Sequence, residues 1–180
     1  MKKKSRGVRG RFALATLAGV LFASQAVGQP VRSLIEMRHE GVVIQQWDIS
    51  CGAAALATVF TYELKVPVTE RQVAQDMLRR TDPLRVKVRG GFSLLDMKRY
   101  ADLWTYPAEG YRGLSLEELV TMPSPIVPIE EYGNPHFVVV RGLRDGKVDI
   151  ADPAFGNRML SVDHFKELWQ TGLAFVVRRP

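Results

Sequence analysis

Cys51 is the only cysteine among 180 residues. A lone thiol cannot close an intramolecular disulfide, so it is either an inert core side chain or a reactive one. Its surroundings favour reactivity. The run CGAAALATVFTY over residues 51–62 is helix-compatible and nearly free of polar groups, which predicts a buried helix that opens at the thiol. Unpaired N–H groups and the positive dipole end at a helix start favour a thiolate. Gly52 leaves room for another backbone to approach, and the polar loop at 45–50 lets the sulfur face a cleft.

A cysteine nucleophile needs a base, and the chain offers three histidines: His39, His136 and His164. His39 lies in an N-terminal arm and His164 in an amphipathic helix, which makes both surface residues. His136 follows Gly133-Asn134-Pro135 and opens the run FVVV, so a rigid strand would hold it at the mouth of a cleft. An imidazole base also needs an acceptor that sets its tautomer. Arg144-Asp145-Gly146 is a hairpin signal, and it pairs strand 136–143 with strand 147–151. The far ends then lie side by side, with His136 starting one and Asp152 ending the other. Asp149 is the nearest competitor but sits inside its strand. Acyl transfer further requires donors for a developing oxyanion. The Cys51 N–H is one, and the amide of Gln45 or of Gln46 is another; spacing alone does not separate the two glutamines.

The remaining elements must carry these groups. Residues 29–43 read as an extended arm leading into a short strand at Val42–Ile44. Thr69 and Gln72 form a capping box that starts a helix running to about Arg80. Thr81-Asp82-Pro83, a basic stretch and Gly90-Gly91 read as a loop with a flexible glycine hinge; a self-processing site at the glycine pair is the alternative. Helices follow at 93–104 and from Ser115. After Met122 the pattern turns to short β-rich runs at 125–130, 136–143, 147–151 and 158–161. A helix at 162–170 and a last strand at 173–177 complete the chain. Helices first and antiparallel strands second predict an α+β domain.

The formal charge of +6 resides in the leader. Lys2, Lys3, Lys4, Arg6, Arg9 and Arg11 supply it, and the rest balances at 19 basic and 19 acidic side chains. Nucleic-acid binding therefore loses its electrostatic support. Residues 1–11 are a basic n-region and Phe12–Ala23 an apolar h-region. Ala26 and Gly28 are the small residues before a cut at Gln29, with a cut after Ala26 as the rival. Residues 1–28 are thus expected to be a signal peptide, residues 29–180 one domain, and the compartment the periplasm. Membrane contact is expected only through an uncleaved signal, since 12 apolar residues fall short of the roughly 20 needed to span. No His/Cys cluster has metal-ligand spacing, so neither metal nor cofactor is expected.

The run QQWDISCGAAAL at 45–56 resembles the catalytic motif of the C39 peptidases, the double-glycine leader peptidases fused to bacteriocin exporters. His136 at the start of HFVVV and Asp152 before Pro153 are similar in type and interval to that family's His and Asp. The likeness spans roughly residues 40–178. It implies a papain-like fold, a cysteine-type endopeptidase cutting after a Gly-Gly pair, and selection of Gln45 over Gln46 for the oxyanion. Exporter-linked members carry the domain ahead of membrane spans and an ATPase, neither of which is seen here. With its leader, the chain is more similar to stand-alone exported members of the type encoded with functional-amyloid secretion systems. That likeness implies a peptide or protein substrate, amyloid, pilus or bacteriocin related, and a secretion machinery as partner. Two other readings are a catalytically silent relative that binds peptide and acyl transfer to an amine.

Overall fold

The computed structural model describes residues 32–180, which form one compact unit. The expected signal peptide at 1–28 lies outside the described residues. Six strands form one sheet in the order β1-β6-β2-β3-β4-β5, every pairing antiparallel. They are β1 (Ala108–Tyr111), β2 (Ile126–Glu131), β3 (Asn134–Arg144), β4 (Lys147–Asp152), β5 (Gly156–Ser161) and β6 (Ala174–Val177).

The helices are α1 (Leu34–His39), α2 (Cys51–Thr58), α3 (Glu70–Leu78), α4 (Pro83–Arg89), α5 (Leu94–Leu103), α6 (Leu116–Leu119) and α7 (Val162–Leu168). Every residue of α2 is buried, and it runs on into a π-helical turn at Val59–Glu63. Leu56 and Phe60 of this rod pack with Met97 and Tyr100 of α5 and with Val139, Ala151 and Phe175 of the sheet. On the other face, Val138, Val140, Val148 and Ile150 meet Leu119, Phe165 and Trp169. Alternate residues of β3 and β4 thus feed two cores, as the two-residue period of a strand requires. The architecture is the expected mixture of helices and antiparallel sheet, with the thiol at a helix start.

Capping boxes open α3 at Thr69 with Gln72, as the sequence predicts, and also α5 at Ser93 with Asp96 and α6 at Ser115 with Glu118, at the helix starts expected there. Four segments differ from expectation. The described part of the arm at 29–43 is not extended. Ser33 and Glu36 form a further capping box, and α1 follows. Val42–Ile44 is not a strand, because its bonds go elsewhere: Val42 N–H to the His39 carbonyl and Val43 N–H to Thr58 Oγ1. The basic stretch is α4 rather than a loop. The Asp82 side chain accepts from Leu84 N–H, Pro83 stands in the first turn, and Gly90 ends the helix in the left-handed region at φ 78°. The glycine pair is accordingly a cap and a close passage, the latter where Gly91 passes the Ile49 carbonyl. Finally β1, whose residues AEGY carry no apolar alternation, forms only because β6 supplies a partner edge.

Candidate active site

Cys51 is the first residue of α2 and lines a cavity of about 250 Å³ with Gly91, Phe92, Pro128, Pro135 and Phe137. Ser50 precedes it in the N-cap position but makes no side-chain capping bond. Gly52 is needed for space. A Cβ there would lie 2.7 Å from Met97 Cε and 3.4 Å from Phe137 Cδ2. The close neighbours are side chains, not the backbone that the sequence suggests. Phe137 also ties the start of β3 to the start of α2, which brings His136 to the thiol.

His136 and Asp152 meet as the hairpin predicts. His136 Nε2 lies 2.8 Å from Asp152 Oδ1. The hairpin alone would not have achieved this. Arg144 pairs with Lys147, Leu143 with Val148 and Gly142 with Asp149. Continued without a break, that register puts Asp152 opposite Val139 and on the face away from His136. Instead the register slips between Val140 and Gly142, so that Val140 faces Ile150 and Val139 faces Ala151. Asp152 then falls level with Val138, on the face His136 shares. Arg141 is the extra residue of this bulge, held by Asn157 Oδ1 at 2.6 Å and the Gly41 carbonyl at 2.6 Å. Gly142 supplies the φ of +133° that the bulge demands.

The electrostatics favour a charged imidazole. Burial works against the charge on His136. The hydrogen bond to Asp152, the neighbouring Cys51 and the Asp152 charge outweigh it, and its pKa is pushed up to about 9 from 6.5. Burial would raise the Asp152 pKa, but His136, Arg158 and the Ala154 N–H together hold it below the usual value. With Nε2 committed to Asp152, Nδ1 is the ring nitrogen left for Cys51.

Gln45 reaches the same corner. Its N–H donates to the Pro153 carbonyl at 2.8 Å, beside Asp152, and its Nε2 donates to the Trp47 carbonyl at 3.2 Å. Its Oε1 is buried without a partner. Gln46 is turned differently: its Nε2 goes to the Ile44 carbonyl, and its side chain lines a larger apolar cavity of about 620 Å³ with Trp47, Ile49, Leu78 and Phe92. Phe92 borders both cavities. His39 is exposed at the end of α1, and His164 is exposed beside Glu167.

A thiol at a helix start, an imidazole and a carboxylate so arranged invite comparison with known peptidases. The Peptidase C39 family matches residues 39–180. The chain belongs to this family. Its cysteine-peptidase class follows from that membership. A protein of Pseudomonas aeruginosa named "Probable functional amyloid protease FapD" is 40% identical over 153 residues, covering 84% of this chain and 66% of that protein. A Pseudomonas fluorescens protein of the same name is 37% identical over 169 residues, covering 93% and 72%. The chain thus spans about two thirds of the length of these relatives. Among solved structures, a double glycine motif protease from an AMS/PCAT transporter, in complex with the leader peptide, superimposes with a TM-score of 0.64. It is 27% identical and covers 77% of this chain and 91% of its own. The peptidase domain of Streptococcus ComA has the same TM-score at 19% identity, covering 77% and 98%, and shares the papain-like fold.

Three residues around the site were not legible in the sequence. Glu70, buried at the start of α3, accepts the Gln46 N–H at 2.9 and 3.1 Å and contacts the Ser50 hydroxyl. One carboxylate therefore pins both ends of the loop between Gln45 and Cys51, and it draws the Ser50 hydroxyl away from capping α2. Arg158 of β5 bonds Asp152 Oδ2 at 2.7 Å and both oxygens of Glu131 at 2.7 and 2.8 Å. Glu70 as the first residue of a capped helix and Arg158 within a short strand read as ordinary surface positions. Only their tertiary partners distinguish them.

Proposed function

We propose that this chain is a cysteine-type endopeptidase in which Cys51, His136, Asp152 and Gln45 do the chemistry. The observation that carries this is the His136–Asp152 bond formed next to a thiol that lines an apolar cleft. The imidazolium of His136 stabilises the Cys51 thiolate, which attacks the carbonyl carbon of the scissile bond. The second N–H on Gln45 Nε2 and the Cys51 N–H receive the oxyanion. His136 then gives its Nδ1 proton to the leaving amine, and the amine departs as the acyl-enzyme forms. Water, deprotonated by the same nitrogen, releases the acid product and restores the thiolate–imidazolium pair. Asp152 orients the ring and stabilises its charge throughout.

The substrate is a peptide or protein cut after a Gly-Gly pair. The similarity to a double glycine motif protease in complex with a leader peptide supports this, and the cleft beside Cys51 walled by Phe92, Pro128, Pro135 and Phe137 gives the peptide a place to lie. The adjoining apolar cavity bordered by Phe92 offers room for side chains flanking the cut bond. The leader-bound neighbour and the relatives named as functional amyloid proteases support a leader-bearing or amyloid-forming substrate handled with a secretion machinery. The basic and apolar leader at 1–28 supports export to the periplasm. Incubation with a synthetic peptide bearing one Gly-Gly pair, read by mass spectrometry, tests the proposal. The wild type is expected to cut after the second glycine and Cys51→Ala to bind without cutting. Undiminished cleavage by a folded Cys51→Ala protein overturns it.

A further inference from the structure

We infer that Arg158, braced by Glu131, is the positioning residue that keeps the Asp152 carboxylate ionised and turned toward His136. The inference rests on the peptidase reading above and adds a residue to it. Asp152 has no exposed surface. Its Oδ1 takes three donors, His136 Nε2 at 2.8 Å, Ala154 N–H at 2.8 Å and Phe155 N–H at 3.2 Å. Among the described residues, its Oδ2 takes Arg158 Nη1 alone, at 2.7 Å. A fully buried carboxylate that lacks a full cation nearby takes up a proton. Protonated, it would no longer favour a charged imidazole. At neutral pH the His136 cation partly meets this need, but it must give up its proton during turnover. Arg158 is the cation that stays.

The placement of Arg158 is specific. Asp152 ends β4, Arg158 stands opposite Ile150 on β5, and Glu131 ends β2. The guanidinium thus spans the end of four adjacent strands on the His136 face. Glu131, itself buried, holds it with two bonds, and the Phe155 ring lies 5.1 Å from its centre. The titratable and charged groups facing the His136–Asp152 pair are Cys51 of α2, Glu131 of β2 and Arg158 of β5. Arg38 of α1 lines the cavity that Glu131 and Arg158 share.

The test is the pH dependence of kcat/KM on a Gly-Gly peptide, together with that of Cys51 alkylation by iodoacetamide. Arg158→Met is expected to move the acid limb of both profiles to higher pH by about one unit or more, because Asp152 loses its cation and faces Glu131. The double variant Glu131→Gln/Arg158→Met removes the orphaned Glu131 charge, leaves Asp152 without its cation, and carries the test if the single variant does not fold. Its acid limb moves up as well. Glu131→Gln alone, which removes a negative neighbour, does not move the limb upward. A folded Arg158 variant with an unmoved acid limb overturns the inference, even if its activity and melting temperature fall. A wild type that fails to cut refutes the peptidase reading instead, and the alkylation profile still tests Arg158.

Discussion

Replacing Asp152 with Asn keeps the shape of the side chain and removes its charge. The consequence follows from His136, whose pKa stands at about 9 against an ordinary 6.5. That gap is worth about 3 kcal/mol of preference for the charged ring. Burial opposes the charge, and Asp152 supplies the largest of the contributions that raise the pKa against it, so in Asp152→Asn the ring should titrate well below 9. The stability effect has a definite sign. A pKa raised by folding contributes stability that is complete below about 6.5 and is lost as pH rises through about 9. The lowered Asp152 pKa contributes in the opposite sense, above its ordinary value of 3.8, and is lost only as the pH falls through its folded value. Between pH 6 and pH 10 the His136 contribution therefore dominates the difference between wild type and variant. Urea unfolding at pH 6, 8 and 10 should show Asp152→Asn less stable at pH 6 than at pH 10, the difference reaching as much as about 3 kcal/mol. Ring resonances of His136 followed by NMR give the pKa directly. A ring that still titrates near 9 in the variant, or a deficit equal at all three pH values, refutes Asp152 as the source of the shift.

Gln45→Ala should lower kcat by roughly 10²–10³-fold with little change in KM, and Gln46→Ala should leave kcat near wild type. Equal losses in steady-state assays would refute Gln45 as the oxyanion donor. Glu70→Gln should cost about 1–3 kcal/mol in denaturant unfolding, because a charge-assisted bond to Ser50 is lost at a buried site. It should also slow turnover by loosening the loop that carries Gln45. A stable variant with normal kcat would show that the loop holds itself. Gly142→Ala should cost about 1–3 kcal/mol, since φ +133° strains any residue with a Cβ. The same substitution should slow turnover if the bulge is what delivers Asp152 to His136. An unchanged melting temperature and rate would argue that the bulge is dispensable.

Much of the site was legible before any fold was known. The thiol at the start of an all-apolar run, the histidine at the mouth of a valine-rich strand and the hairpin between them each depend on residues a few positions apart. The hairpin turn is as local as its signal: Asp145 and Gly146 both take positive φ. The capping boxes at Thr69, Ser93 and Ser115 act over three residues and hold for the same reason. The signals at Ser33 with Glu36 and at Asp82-Pro83 were equally local, yet α1 buries none of its residues and α4 only Val86, so neither carries the core-facing stripe that marks a helix. The strand β1 had no local signal at all, because an edge strand of four residues is defined by its neighbour.

The residue types of the site, their order and their attachment to a helix start and a strand end are properties of the sequence by itself. Which face Asp152 takes is not. A strand alternates faces at every residue, so one inserted residue at Arg141 decides whether Asp152 meets His136 or points away from it. The charge state of the pair is likewise a tertiary matter. It depends on Arg158 and Glu131, 27 residues apart, closing over a carboxylate that no water reaches. Parity and desolvation are collective, and neither is carried by the identity of any one residue.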